Sequence, residues 1–157
     1  MIKLSRLADY AVVLMTHIAA RPDALHTAAA AAAETRVPEP TVGKILKALA
    51  RDGLLESQRG TRGGYTLARP AAHISIADVI VAVDGPIALT ECHEPSGGAC
   101  TLETVCPTRV PWQRLNDAVR KALAEVSLAE MMDPFAPYAV AAAGRGTRPA
   151  LTTEARR

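Results

Sequence analysis

Apolar residues recur at steps of three and four along the first third of the chain, which puts them on one face of a helix. The pattern predicts a first helix over residues 4–20, a second over residues 28–36 behind a Thr27 cap, and a third over residues 40–52. Gly53 is a natural terminator for the third helix. The buried stripe predicted for that helix consists of Val42, Ile45, Leu46 and Leu49.

Two short strands follow these helices. Residues 54–58 and 65–68 have strand character, and a turn rich in glycine and arginine, residues 59–64, separates them. Ser75 then caps a further helix that Gly85 stops. Two helices, a tight turn, a third helix and a hairpin predict a mainly α fold, a winged helix-turn-helix with a two-stranded wing.

A long C-terminal helix carries a second apolar pattern, with steps of 3, 4, 3 and 4 residues. This spacing is typical of a seam that packs against another helix. Little of the chain is left to cover the seam, so we expect a homodimer, which would bind a palindromic site on double-stranded DNA. The seam consists of Trp112, Leu115, Val119, Ala122 and Val126.

These patterns divide the chain into five predicted parts. The predicted order is a DNA-binding domain, a linking helix, a loop with all three cysteines, a dimerisation helix and a flexible tail without periodicity. Their ranges are 1–69, 70–91, 92–108, 109–132 and 133–157.

Charge supports the division into a DNA-binding part and a second part. Residues 1–69 hold ten Lys/Arg against six Asp/Glu, whereas residues 70–133 hold four against nine. A basic first half suits contact with a polyanion. Asp9 and Arg6 interrupt the N-terminal apolar run, which argues against a signal peptide, and no stretch is apolar enough to span a membrane. We therefore expect a cytoplasmic protein without a membrane partner.

The third helix and the wing supply the candidate DNA contacts. The helix face opposite the buried stripe is basic, and a side chain at the helix start is well placed for base edges. Gly43 is a poor helix former, and close approach of the duplex backbone would compensate for its presence. The predicted DNA-binding residues are Thr41, Lys44, Lys47, Arg51, Arg59 and Arg62.

All three cysteines, Cys92, Cys100 and Cys106, fall in residues 91–107, ECHEPSGGACTLETVCP, which we call the cysteine segment. Its glycines and prolines predict a loop, and an odd number of cysteines argues against a closed disulfide framework. Three thiolates suit an iron–sulfur cluster that takes a fourth ligand from elsewhere. A zinc site, a thiol redox switch and a structural role remain open from the spacing alone.

Nothing in the sequence favours an enzyme. The chain has no Ser–His–Asp set, no phosphate-binding loop and no paired carboxylates placed for acid–base chemistry.

Several motifs together resemble the bacterial winged-helix iron–sulfur transcriptional regulators of the IscR/NsrR type. They are KLSRLADYAVVLM, VPEPTVGKILKALARDGLL, RGTRGGYTLAR and ISIADVIVAVDG, followed by the three cysteines in the family's order. The resemblance covers residues 1–132. The LADYAVVL and TECHE stretches look most like the branch that regulates the SUF iron–sulfur assembly operon.

The resemblance implies a dimer with one cluster per subunit, whose occupancy changes DNA affinity. It implies ligation by the three cysteines and, as fourth ligand, by Asp9 from the partner's first helix, with His93 in reserve. A 2Fe–2S cluster is favoured, with 4Fe–4S as the alternative. The chain departs from the family in a longer first cysteine gap and in Arg109, which stands where one branch has a ligating histidine.

The function expected from all of this is a transcriptional regulator, in the first place a repressor, that senses iron–sulfur cluster status and controls cluster assembly genes. The alternatives are a nitric-oxide- or redox-responsive regulator of the same fold, and a thiol-switch or zinc-containing DNA-binding protein.

Overall fold

The computed structural model describes residues 3–60, 63–90, 100 and 105–132. The described part is mainly helical, with one two-stranded antiparallel sheet and a 3-10 turn at Ala71–His73. Its helices are α1 (Arg6–Ala19), α2 (Ala28–Thr35), α3 (Glu39–Arg51), α4 (Ile76–Asp84), α5 (Arg109–Glu125) and α6 (Leu128–Met132), and its strands are β1 (Leu55–Gln58) and β2 (Gly64–Leu67). This architecture confirms the predicted winged helix-turn-helix.

Side-chain caps fix where the helices begin. The hydroxyl of Ser5 accepts a hydrogen bond from the Ala8 amide at 2.9 Å, and Thr27 does the same for Ala30 at 3.1 Å. At the other end of α3, Gly53 has a φ of 72°, the left-handed conformation that ends helices cheaply in glycine. The predicted helices of the first half are confirmed, with bounds shifted by one or two residues.

The main core is formed where α1, α2, α3 and α4 meet, with one residue from α6. The predicted stripe of α3 is confirmed, since all four of its residues are fully buried. Leu128 of α6 is also fully buried in this core, although it lies far from the others in sequence. A smaller second cluster contains Ala8, Ile76 and Ile80, with Leu123 and Val126 packed against it.

The wing pairs Leu55 with Leu67 and Gln58 with Gly64. The strands agree with the predicted ones to within one residue at each end. A bridge that the sequence pattern did not indicate joins the wing to the body of the domain: the amides of His26 and Tyr65 donate to each other's carbonyls at 3.0 and 2.8 Å.

Two backbone hydrogen bonds, which we call the clasp, join the beginnings of α4 and α6. The amide of Ile76 donates to the carbonyl of Val126 at 2.9 Å, and the amide of Leu128 donates to the carbonyl of Ile74 at 2.7 Å. Each helix also has a capping box, formed by Ser75 with Asp78 and by Ser127 with Glu130. The two helices therefore start at one shared corner that these hydrogen bonds join.

The predicted long helix is present as α5, but the seam assigned to it was wrong at its last member. The helix ends at Glu125, and Val126 is extended because its carbonyl belongs to the clasp with Ile76. None of the helices in the described ranges is long and apolar enough to cross a membrane.

Candidate DNA interface and cysteine segment

The outer face of α3 presents two lysines. Lys44 and Lys47 are exposed, whereas Ile45 and Leu46 between them are fully buried. Within the described residues neither lysine takes part in an ion pair, so both ammonium groups face solvent. A rigid helix anchored by one face, with cations on the other, has the form of a helix that enters the DNA major groove.

Thr41 and Gly43 lie in the first turns of α3, and both are half-buried. A Cβ placed on Gly43 would have no heavy atom within 4 Å. The domain itself therefore does not require glycine at this position. The absence of a side chain leaves the helix backbone open to close approach from outside.

Arg51 differs from the two lysines. Its guanidinium donates to the carboxylate of Asp52 at 3.1 Å and, more weakly, to the carbonyl of Ala82 in α4 at 3.5 Å. Its predicted DNA contact stays a prediction, and in the free protein this side chain ties the end of α3 to α4.

At the wing, Arg59 is exposed beside the end of β1, while Arg62 lies outside the described residues. Gly64 faces the body of the domain, and a Cβ there would lie 2.8 Å from both the His26 carbonyl oxygen and the Leu25 side chain. Beyond the second strand, Arg69 forms an ion pair of 3.0 Å with Asp78, the residue that completes the capping box of α4. The wing is thus fastened at its base to both α1–α2 and α4.

Of the three cysteines, Cys100 and Cys106 are described; both are half-buried and neither is in a disulfide. The Sγ of Cys106 lies 3.3 Å from the hydroxyl of Thr108. Hydrogen bonding from Thr108 lowers the pKa of the Cys106 thiol, with smaller help from Arg109. A lower pKa raises the fraction of thiolate, the form that ligates metals, at a position three residues before α5.

The remaining predicted ligands are not brought together in one described site. Cys92 and the reserve ligand His93 lie outside the described residues, and Asp9 is exposed on α1. Among the residues that the structure describes, no group of three or more His, Cys, Asp or Glu side chains could hold a metal ion. The donor chemistry of Cys100 and Cys106 fits an iron–sulfur cluster, and the complete ligand set stays a prediction.

Two buried polar residues escaped the sequence analysis. His26 is 5% exposed, and its Nε2 donates to the Arg21 carbonyl at 3.1 Å. Asn116 is 3% exposed, and its Oδ1 accepts a hydrogen bond from the Leu89 amide at 3.0 Å. A single polar residue on a helix or loop carries no periodic signal, so the sequence could not have distinguished either from a solvated one.

The fold, the basic face of α3 and the wing together define a winged-helix, DNA-binding transcriptional regulator. The chain belongs to the Rrf2 family, described as iron-dependent transcriptional regulators, whose sequence profile matches residues 4–134. The family confirms the resemblance to winged-helix regulators of this type, whereas the resemblance to the SUF branch stays a prediction. Its members are regulators rather than enzymes.

Individual relatives agree with this assignment. Protein aau3 of Rhizobium meliloti is 36% identical over 77% of this chain and 74% of its own length. The transcriptional regulator IscR of Escherichia coli is 29% identical over 83% of this chain and 80% of its own length. Among solved structures, CymR, the global cysteine regulator of B. subtilis, superposes with a TM-score of 0.64 at 26% identity, over 84% of this chain and 97% of CymR.

Proposed function

We propose that this chain is a homodimeric repressor whose affinity for a palindromic operator depends on an iron–sulfur cluster. Cys92, Cys100 and Cys106 would hold the cluster together with Asp9 of the partner subunit. The genes it controls would be those for cluster assembly, and 2Fe–2S is the favoured cluster. The observation that carries the proposal is the Cys106 thiol, which is in no disulfide and lies three residues before α5, in a chain of a family described as iron-dependent.

Operator binding would use the basic face of α3 and the wing, namely Thr41, Lys44, Lys47, Arg51, Arg59 and Arg62. The solvent-facing ammonium groups of Lys44 and Lys47 suit phosphate or guanine contacts. Thr41, at the helix start, suits a base edge.

Pairing of two subunits would use the part of α5 that its own chain leaves uncovered. Trp112 and Leu115 are 40% and 52% exposed, which is unusual for large apolar side chains so close together on one helix. A second copy of α5 would bury them and set two α3 helices at a fixed spacing for a two-fold-symmetric site.

The route from the cysteine segment to DNA passes through α4. The cysteine segment lies between α4 and α5 in sequence, and α4 contacts α3 through Arg51 and the chain just beyond the wing through Arg69. When bound, the cluster would supply an iron- and redox-dependent state of the segment. Ordering of the segment against α4 and α5 would then bias the position of α3 and the wing relative to each other. A coupling of about 1–3 kcal/mol would change operator affinity roughly 5- to 150-fold.

The test begins with anaerobic purification, a visible absorption spectrum, and iron and sulfide assays on the same sample. Cys92→Ser, Cys100→Ser and Cys106→Ser should each abolish the cluster and shift operator affinity while helix content stays unchanged. The operator is first selected from a pool of random duplexes. Unchanged operator affinity in all three variants would refute the sensing function and leave the DNA-binding assignment standing.

Asp9 has its own test. Asp9→Ala should weaken cluster retention without affecting stability, because the side chain is exposed on α1. Asp23→Ala, which also removes an exposed aspartate, is the matched control and should retain the cluster normally. Equal retention in the two variants would remove Asp9 from the ligand set.

A thiol switch is the second candidate, because Cys100 and Cys106 are both free and Thr108 contacts the Cys106 sulfur. It predicts a colourless protein without iron or sulfide, and a disulfide between two of the three cysteines after oxidation. Mass spectrometry of oxidised protein and metal analysis separate this function from a zinc site and from a cluster.

A further inference from the structure

A cavity of 630 Å³ lies between the two halves of the described fold. Residues of α4 and α5 line it, together with Asp52 at the end of α3 and Leu54 and Arg69 on either side of the wing. Every residue that lines it belongs to the described ranges. Small-molecule sites in proteins typically measure about 300–1,000 Å³, so the cavity is large enough for a small metabolite.

Most of the charged groups that line this cavity are already neutralised by a partner within the chain. The three pairs are Arg69 with Asp78 at 3.0 Å, Asp52 with Arg51 at 3.1 Å, and Lys121 with Glu125 at 3.7 Å. These pairs leave one cation and one anion of the cavity, both on α5, without a counter-charge.

The two remaining charges are those of Arg120 and Asp117. In the described part of the chain Arg120 forms no ion pair, and Asp117 accepts a hydrogen bond from the neutral amide of Gln113 at 3.0 Å. Residues three apart on a helix have Cβ atoms about 5–6 Å from each other. A guanidinium and a carboxylate thus face one cavity a single turn apart, which suits a small ligand with both a carboxylate and an ammonium group.

The rest of the cavity wall is aliphatic. Val81 of α4 is 39% exposed, although it is a large apolar side chain on the same helix as the buried Val79 and Ile80. Ile87 and Leu54 extend the same apolar surface. None of the residues that line the cavity is aromatic, so a flat ring would find no stacking partner. A short aliphatic chain fits this surface better.

The cavity lies away from the face of α5 proposed for subunit pairing. With 3.6 residues per turn, Arg120 and Asp117 are roughly 140° and 160° around the helix from Leu115, the centre of that face. Pairing of two subunits through Leu115 therefore leaves the cavity accessible.

We propose that this cavity binds a free α-amino acid with an aliphatic side chain. Arg120 holds the α-carboxylate, Asp117 holds the α-ammonium group, and Val81 covers the side chain. The ligand contacts α5 on one side and the end of α3 and the base of the wing on the other, so its binding changes operator affinity. The proposal goes beyond the cluster-sensing function, because it requires neither a cysteine nor a cluster.

The first experiment titrates the full chain with L-leucine in a calorimeter at neutral pH. We expect saturable binding of one leucine per chain. Three analogues each lack one group that the cavity recognises: isocaproate lacks the ammonium, isoamylamine lacks the carboxylate and glycine lacks the side chain. Each should bind about tenfold more weakly or worse, the factor expected for loss of a charged hydrogen bond or of an apolar side chain. No saturable binding of L-leucine would overturn the proposal.

The second experiment assigns each charge to its group. Arg120→Gln should weaken leucine binding about tenfold and leave the affinity for isoamylamine unchanged, since that analogue has no carboxylate. Asp117→Asn should also weaken leucine binding but leave the affinity for isocaproate unchanged. Arg114→Gln, which removes an exposed arginine of α5 outside the cavity, is the matched control and should bind leucine as the wild type does. Equal losses for leucine and for the analogue in either variant would overturn that residue's contact.

The third experiment tests the link to DNA. Operator affinity, on a site selected from random duplexes, is measured with and without saturating L-leucine. We expect a change of about fivefold or more in the wild type and in Arg114→Gln, and a much higher leucine requirement in Arg120→Gln. Leucine binding without any change in operator affinity would overturn the regulatory role. Failure of the cysteine variants to affect DNA binding would refute cluster sensing and leave this result unaffected.

Discussion

Helices α1 and α5 are of similar length, 14 and 17 residues, and both show apolar residues at helical spacing, yet their burial is opposite. α1 has six buried residues, all apolar, whereas α5 has one, the polar Asn116. The apolar face of α1 is covered by α2, α3 and α4 of its own chain. The apolar residues of the winged-helix half are thus buried in one core, to which α6 adds Leu128, whereas most of α5 is exposed in the single chain.

The two faces of α5 also differ in burial. Asn116 and Leu123 face their own chain, whereas Trp112 and Leu115 face outward. Exposed apolar area costs roughly 25 cal/mol per Å² relative to burial, so two large side chains on one helix face strongly favour association. The predictions below test this contrast, from the largest expected effect to the smallest.

Leu115→Lys should have the largest effect. A charge at the centre of the uncovered face of α5 would prevent pairing of two subunits, and loss of the linked half-sites should lower operator affinity about 100-fold or more. Light scattering coupled to size-exclusion chromatography measures the mass, and fluorescence anisotropy the affinity. Gln113→Lys places the same charge on the exposed side near Asp117 and should remain dimeric. A dimeric Leu115→Lys protein would refute pairing of two subunits through this face of α5.

Lys44→Ala and Lys47→Ala come next, on the other half of the molecule. Each removes an exposed ammonium from α3 without touching the core, so stability should not change. Operator affinity should fall about tenfold for each, and a lysine that contacts phosphate should also lower the salt slope by about one unit. Lys121→Ala on α5, where the lysine lies 3.7 Å from Glu125, is the control for general charge. A similar loss in Lys121→Ala would place the DNA surface elsewhere.

Gly43→Ala should separate stability from DNA binding. Because no atom lies within 4 Å of the new Cβ, alanine should stabilise α3 by about 1 kcal/mol, while the methyl group should hinder a duplex that approaches the helix backbone. Urea unfolding and operator titration measure the two effects. Gly64→Ala provides the contrast, since its Cβ would clash with the His26 carbonyl and should destabilise the wing. Gain of stability with unchanged operator affinity would refute close approach at Gly43.

The smallest effect concerns pH. Burial lowers the pKa of His17 below its usual value of 6.5, with Glu34 opposing the shift. The unfolded chain then binds the proton more readily, so the contribution of His17 to stability is complete above pH 6.5 and declines as the pH falls below it. Hydrogen bonds from Ser127 lower the pKa of Glu130 below 4.5, so its contribution is lost only in more acidic solution. Urea unfolding at pH 7.5 and 5.5 should show a lower free energy of unfolding at pH 5.5 in wild type, and a smaller decrease in His17→Gln. An equal decrease in both proteins would exclude His17 as the source of this pH dependence.

The periodicity of apolar residues was sufficient to predict most helices and strands of the winged-helix half. The caps at Thr27 and Ser75 and the buried stripe of α3 follow from local chemistry and spacing, which is why the sequence predicted them. The failures arise where a contact distant in sequence decides. Val126 continues a heptad spacing, but its carbonyl is needed by Ile76, so the helix stops one residue before it.

For the candidate site, the sequence indicated which residues take part better than it indicated what those residues contact. It identified Lys44 and Lys47, which are exposed, but could not show that Arg51 is engaged with Asp52 and α4. It identified the cysteines but not Asn116, since a lone asparagine on a polar helix has no pattern. Cys92, Arg62 and the predicted tail 133–157 lie outside the described residues, and their roles stay predictions.

The clasp between α4 and α6 has a consequence for the order in which the protein is made. Leu128, fully buried in the main core, and its backbone pairing with Ile74 join residues that leave the ribosome far apart in time. While only the first half of the chain has emerged, the core that supports α3 lacks one wall. The entropy of closing this long connection must be met before Leu128 gains its contacts, so the core around α3 is completed only after α6, more than fifty residues beyond Ile74, has been synthesised.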